Sequence, residues 1–381
     1  MGLLTKGLEI EIYTGTPQGQ IIGLSDRIVQ DLTGFVREPD SRNVEYTTAP
    51  FQSYDRLLCA ILRPRRQLRQ YLASLGDYTL IPGSCLSLGG GQVFYRSDPQ
   101  NPYHSYIEQT YGPTVVTASV HINIGIADPE HLLQACRLVR LEAPLYLALS
   151  ASSPFFDGRV TGAHSSRWQV FPKTPPQVPL FTSHGHFIEW TEQQLQLGTM
   201  QNVRHLWASV RPNGDNRPYN LNRLELRICD LVTNPLHLLA IVALLEARLM
   251  QLALDPSLDP LQASSLAPDR LLELTDKNET LAAQSSLDAT LFHWQDGRPI
   301  QARDWIEELY TSVYPLAKAQ GFSCFLSPVQ TILRQGNMAQ QWLQQYQKGI
   351  SLSVILQQAI FDTEQEEQRL AEDLCLPALV A

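Results

Sequence analysis

The chain has 381 residues (42.8 kDa), of which 44% are hydrophobic and 18% charged; 29 basic and 38 acidic side chains leave a net charge of -9. That composition excludes a disordered chain, which could not bury enough apolar surface to offset its entropy, and a small scaffold that needs disulfide staples. It also excludes a general nucleic-acid binder, which needs basic surface to displace counterions from phosphate.

In chain order, Gly7–Tyr13 alternates strictly, with Leu8, Ile10 and Ile12 on one face and Glu9, Glu11 and Tyr13 on the other, which predicts a strand. A second strand is expected over 43–48, before Ala49-Pro50. A helix over 53–75 follows, with a solvated basic face (Arg56, Arg63, Arg65, Arg66, Arg69) and a stop at Gly76. Residues 76–112 read as long loops, and 115–126 as a third strand. Residues 129–150 read as a helix capped by Asp128 with Pro129 at its first position. Strands over 203–211 and 221–230 precede a long apolar helix near 234–253. That helix contains His237, Glu246 and Arg248, so it is expected in a core rather than across a membrane. Residues 255–275 read as a linker and 276–375 as mostly helical.

The chemistry lies on the polar faces of the strands. Glu9 and Glu11, two apart, leave the same face, where two carboxylates repel unless cations lie between them. Taken alone they could be a solvated edge. His121 with Asn123, Glu225 with Arg227 and Arg223, and Glu45 repeat the pattern on other strands. Carboxylates and an imidazole suit hard divalent ions, and arginines bind phosphate bidentately. No phosphate-binding glycine loop is present, so a nucleotide would be held by metal and arginine. The six cysteines form no CxxC and are expected to be reduced and buried or inert, Cys229 alone being worth testing for reactivity. His184-Gly185-His186 is expected to bind no metal. No apolar leader is read at the N-terminus, and a cytoplasmic protein is expected.

Several segments together resemble the carboxylate–amine ligase/glutamate–cysteine ligase superfamily, with the cyanobacterial branch as the best match. They are Gly7-Leu8-Glu9-Ile10-Glu11, Glu45 before Thr-Thr-Ala-Pro, Ser119-Val120-His121-Ile122-Asn123, Ser165-Ser166-Arg167, Val210-Arg211-Pro212 and Arg223-Leu224-Glu225-Leu226-Arg227-Ile228-Cys229-Asp230. The resemblance implies an α+β, glutamine-synthetase-like fold: a curved, mainly antiparallel sheet with helices on its outer face and a helical C-terminal region. The expected division is a catalytic core over 1–254 and a helical region over 255–381. It implies ATP-dependent joining of glutamate to cysteine through γ-glutamyl phosphate, with Mg²⁺ or Mn²⁺. Glu9, Glu11, Glu45, His121 and Glu225 match the metal-ligand positions, and Glu45 is also expected near substrate. Arg227, with Glu225 and Arg223, is expected at the nucleotide, Arg227 on the transferred phosphoryl group. Arg211 is expected on a carboxylate or phosphate, and Arg167 on the glutamate α-carboxylate.

A different amine acceptor, a guanidino kinase and an inactive scaffold are the alternatives. The expected partners are these small molecules, with no nucleic acid or membrane, in a monomer or homodimer. Glu11→Ala and Glu225→Ala are expected to abolish ATP hydrolysis and leave the fold intact.

Overall fold

The computed structural model describes residues 2–375. Strands β1 (Lys6–Gly15), β2 (Phe35–Arg37), β3 (Asn43–Thr47), β4 (Thr79–Ile81) and β5 (Val120–Gly125) lie in the first third of the chain. Helices α1 (Ser25–Asp31), α2 (Tyr54–Leu75), α3 (Pro102–Tyr111) and α4 (Pro129–Ser150) alternate with them. A short hairpin, β6 (Phe155–Phe156) and β7 (Arg159–Val160), precedes α5 (Ser166–Val170), α6 (His184–Gln196), β8 (Val210–Asn213), β9 (Arg223–Leu226) and α7 (Pro235–Leu254). Beyond them come α8 (Pro260–Ala263), α9 (Pro268–Ser285), the hairpin β10 (Thr290–Phe292)/β11 (Pro299–Gln301), α10 (Ala302–Ala319), α11 (Ser323–Leu326), α12 (Pro328–Gln335), α13 (Met338–Gln347) and α14 (Leu352–Leu370).

The main sheet runs β2-β3-β1-β5-β9-β8 with β4 also on β1, and every pairing is antiparallel. The α+β architecture read from the sequence is the one observed. Alternation decides the two faces. Leu8, Ile10, Ile12, Val44, Tyr46, Val120, Ile122, Ile124, Leu224 and Leu226 are all buried on the helical side, while the residues between them form the opposite floor.

Helix α7 is the most apolar helix and lies inside the protein: Asn234 caps it through bonds from the Leu236 and His237 amides, and most of its side chains are buried. Its Glu246 is fully buried, 2.7 Å from an equally buried Lys6 Nζ, and also accepts from the Tyr54 hydroxyl and the Leu4 amide. The first residue of β1 is thereby tied to the core helix. Desolvating two charges is costly, and this pair is satisfied in only one strand register.

Several expectations are corrected. The 76–112 stretch contains β4 and α3; Asn101 caps α3 and Pro102 opens it, so residues that read as a turn start a helix. The third strand begins at Val120, and 203–205 is a 3-10 turn before the shorter β8. The supposed linker carries α8 and the start of α9, and the helical tail carries the β10/β11 hairpin. Arg65 is not solvated: it is fully buried, donating to the Tyr46 hydroxyl (2.8 Å), Thr233 O (2.6 Å) and Glu367 (3.0 Å). Cys59 on α2 and Cys375 form a disulfide, a pairing across 316 residues that no local spacing could reveal. Cys229 is wholly buried and burial pushes its thiol up to about 12, so it is not a reactive thiol.

Glu246→Gln should lower stability by about 3–5 kcal/mol in equilibrium urea unfolding, because Lys6 is left buried without its counter-charge. The double change Lys6→Met with Glu246→Leu should recover most of that loss; equal stability of the single variant and the parent would contradict the anchoring role.

Candidate active site

Strand register assembles the polar floor. Glu9 lies opposite His121, Glu11 opposite Glu45, and Glu225 is flanked by Asn123 on one side and Arg211 on the other. Directly opposed side chains on one face start about 4.5–5.5 Å apart at Cβ, so residues distant in sequence meet there. Two groups of possible metal ligands result, each with one oxygen or nitrogen per residue within 4.8 Å of the others: Glu9, His121 and Glu225; and Glu11, Glu38 and Glu45.

The two groups differ in electrostatics. Glu225 is fully buried and already compensated: Arg211 binds it through Nε (2.7 Å) and Nη2 (3.0 Å), Asn213 Nδ2 donates at 2.6 Å, and Arg227 donates to Oε1. Burial works against its charge, yet Arg211, Arg227 and His121 hold the carboxyl well below the usual range. Glu9 behaves likewise: against burial, His121 Nδ1 at 3.1 Å and the Arg227 charge lower it. The second group is relieved too little: Arg227, and for Glu45 its bond with Glu38, work downwards but do not prevail. Burial, then Glu11 and Glu9, push Glu45 up to about 8. Burial, Glu11 and Glu45 raise Glu38 well above its ordinary value. Residual repulsion among three oxygen-donor side chains is what a hard divalent cation removes, so the donor set fits Mg²⁺ or Mn²⁺.

Two cavities meet at Glu9. One, about 520 Å³, is lined by the acidic floor and by Arg37, Arg167, Arg204, Arg211 and Arg227, with Tyr103, Ile107, Phe171 and Trp207 on its apolar wall. The other, about 450 Å³, lies past the far side of Glu9 against Gly7, Thr47, Asn123, Asn222, Asp215 and Arg223.

The structure brings Glu9, Glu11, Glu45, His121, Glu225, Arg227, Arg211 and Arg167 to one site, and places Arg223 in the second cavity beside Asp215 (3.7 Å). One expected role changes. Arg211 spends Nε and Nη2 on Glu225 and Nη1 on the Arg204 and Leu206 carbonyls, so it positions Glu225 rather than reaching for substrate. Arg167 is 2% exposed and donates to the Ile228 and Arg227 carbonyls, but its Nε is buried with no partner in the protein. Glu38 escaped the sequence reading; the β2/β3 hairpin brings it to Glu45, and pairing Phe35–Arg37 with the Glu45 strand was the available signal. The α3 part of the apolar wall, Tyr103 and Ile107, was hidden in the stretch read as loop. His184 and His186 lie at the start of α6, outside both ligand groups, with His184 Nε2 at the Pro218 carbonyl.

The antiparallel sheet, with its acidic floor on one face and helices on the other, is the fold of a ligase class. The chain belongs to glutamate-cysteine ligase family 2 (GCS2), whose model matches residues 5–372. A "Putative glutamate--cysteine ligase 2" of Sorangium cellulosum (strain So ce56) is 30% identical over 244 residues, 63% of this chain and 62% of that protein, so the match spans less than two thirds of that relative's length. The protein named 2-1 in the same series from Rubrobacter xylanophilus is 28% identical over 293 residues, 74% of this chain and 75% of its own. Among solved structures, glutamate–cysteine ligase from Francisella tularensis in complex with AMP superposes with a TM-score of 0.71 at 11% identity, covering 96% of this chain and 89% of that one. The bifunctional glutathione synthetase of Pasteurella multocida gives 0.70 at 14% identity, covering 97% and 53%. At these identities the likeness establishes the fold.

The raised carboxyl gives a signed stability prediction. With a folded pKa of about 8 against an ordinary 4.5, Glu45 makes a contribution that is fully present below the lower value and is lost as pH rises through the higher one. Histidines with lowered values act below about 6.5 and the depressed Glu225 lower still, so the window from 6.5 to 8.5 isolates the acidic group. The metal-free protein should melt at progressively lower temperature across that window, and millimolar Mg²⁺ or Mn²⁺ should restore more at pH 8.5 than at 6.5. Glu11→Gln should flatten the slope. Glu225→Ala, contrary to the sequence expectation, should destabilise the fold, because it strands two buried guanidinium groups.

Proposed function

We propose that the protein is an ATP-dependent glutamate–cysteine ligase that phosphorylates the γ-carboxylate of L-glutamate and joins it to the amine of L-cysteine, giving γ-glutamylcysteine, ADP and phosphate, the first step of glutathione synthesis. The observation that carries this reading is the pair of cavities meeting at the Glu9 carboxylate. One offers small walls (Gly7, Thr47, Gly125), Asn123, Asn222 and Arg223 for a nucleotide, with Glu9 and Asp215 at its margin; the other offers arginines for carboxylates and an apolar wall for a side chain.

Glu9, His121 and Glu225 would hold one divalent cation, and Glu11, Glu38 and Glu45 another; bound Mg²⁺ or Mn²⁺ supplies charge neutralisation for the phosphates. Arg227, held beside Glu225 at the cavity junction, stabilises charge on the transferred phosphoryl group. Arg211 and Asn213 fix Glu225. The unpaired Nε of Arg167 and the guanidinium of Arg204 are placed for substrate carboxylate. Alignment and charge stabilisation are what phosphoryl transfer asks of a protein, and no protein nucleophile is required.

A second acceptor class has support of its own: Tyr103, Ile107, Phe171 and Trp207 form a wall with room for a side chain larger than that of cysteine. A guanidino acceptor is disfavoured, since its cation would enter among arginines.

Purified protein with Mg²⁺, ATP and L-glutamate should release ADP on addition of L-cysteine, with γ-glutamylcysteine detected by mass. Turnover only with another amino acid would select the second reading, and turnover only with a guanidino compound would overturn both. Arg227→Lys, which keeps the charge but loses the fork, should lower kcat by about 10²–10³.

A further inference from the structure

The cavity assigned above to nucleotide contains a polar atom that nothing in the protein satisfies. Asn123 lies on β5 between Gly7 of β1 and Glu225 of β9, and its Nδ2 donates to Glu9 Oε1 at 3.1 Å. The orientation of this amide is set by chemistry. A carboxylate oxygen accepts, and Glu9 Oε1 lies at hydrogen-bond distance, so the amino group is the end of the amide that faces it. The amide oxygen therefore points away from Glu9. It is buried without a hydrogen-bond partner, in a residue 9% exposed that lines the cavity.

Buried acceptors are generally paired, so this oxygen calls for a donor from a ligand of the cavity. Its sign identifies the chemistry. Phosphate and carboxylate oxygens are themselves acceptors and cannot pair with an amide oxygen. The orphan atom on the other side of Glu9 is of the opposite kind, the Arg167 Nε donor, which does suit a carboxylate. Because Asn123 also grips a residue of the acidic floor, the missing donor belongs to the sugar–phosphate end of a nucleotide rather than to its base.

Building on the nucleotide reading of this cavity, we propose that Asn123 binds the metal–nucleotide complex, its Oδ1 accepting a hydrogen bond from an O–H group, either a ribose hydroxyl or a water carried on the cation, while its Nδ2 orients Glu9. The sequence pattern marked Asn123 only as a neighbour of His121. The structure assigns it two bonds of opposite sense.

Equilibrium binding to the full chain separates the sources. Mn²⁺ alone, and Mg²⁺ with ADP, 2′-deoxy-ADP or 3′-deoxy-ADP, are titrated calorimetrically into the parent, Asn123→Leu and Asn123→Asp. For a ribose hydroxyl, one deoxy nucleotide binds the parent about 5–10-fold more weakly than ADP, and Asn123→Leu no longer distinguishes them. For cation-held water, the deoxy nucleotides match ADP, and Mn²⁺ alone weakens by a similar factor in Asn123→Leu. In either case Asn123→Asp, which keeps the acceptor and replaces the donor to Glu9 by a repelling carboxylate, outperforms Asn123→Leu. Equal binding of every ligand by parent and Asn123→Leu would overturn the proposal, as would an Asn123→Asp variant no better than Asn123→Leu. A parent that binds Mn²⁺ but no nucleotide would instead remove the nucleotide reading beneath it. Should Asn123→Leu not fold, the deoxy series on the parent and Asn123→Asp still decide.

Discussion

Like charges held close together are the constraint around which this molecule is organised. Glu9, Glu11, Glu38, Glu45 and Glu225 share one face of the sheet with a single histidine. Carboxylates packed this way must be neutralised or protonated. The protein solves half of the problem internally, committing Arg211, Arg227 and Asn213 to Glu225. It leaves the other half open, so burial and neighbouring carboxylates raise Glu38 and Glu45, and a cation there would relieve them. An uneven floor of this kind is rigid on one side and responsive on the other.

The opposite face supplies the rigidity. Lys6 with Glu246, Arg65 with Glu367, and Arg248 with Glu142 are ion pairs set in or under the helical layer. Each joins segments far apart in the chain. Arg65 reaches the hydroxyl of Tyr46, the residue next to Glu45, so helices α2 and α14 support the strand that carries the acidic group. Such pairs add little net stability over apolar packing, but they penalise every alternative register. A one-residue slip of β1 would send Glu9 and Glu11 into the core and Lys6 out of it.

The floor was largely legible in the sequence because strand alternation is local. Leu8-Glu9-Ile10-Glu11 and Leu224-Glu225-Leu226-Arg227 declare both their faces and their chemistry without reference to any partner. What stayed hidden was non-local or wore the wrong local sign. Glu38 needs a hairpin partner to be recognised. Asn101-Pro102 serves equally as a turn and as a helix start, and only the packed cavity wall shows which. Arg65 looks solvated because its neighbours Arg63 and Arg66 are charged too, yet the helix turns it inward to Tyr46 and Glu367. Glu225 looked like a free repulsive carboxylate and proved to be the best-compensated one, since its partner Arg211 comes from a strand across the hairpin.

The Cys59–Cys375 bond has a topological consequence. Its two ends lie 316 positions apart, so β4, β5, β8, β9 and every helix from α3 to α14 lie inside one covalent ring, from which β1, β2 and β3 extend on the N-terminal arm. A single backbone cut anywhere in that ring opens it without separating the pieces. The nicked protein keeps both ends of its sheet on one molecule and divides only when the sulfurs are reduced. For the unfolded chain the same ring removes a large share of the conformations an open chain would explore, and that share grows with the length enclosed.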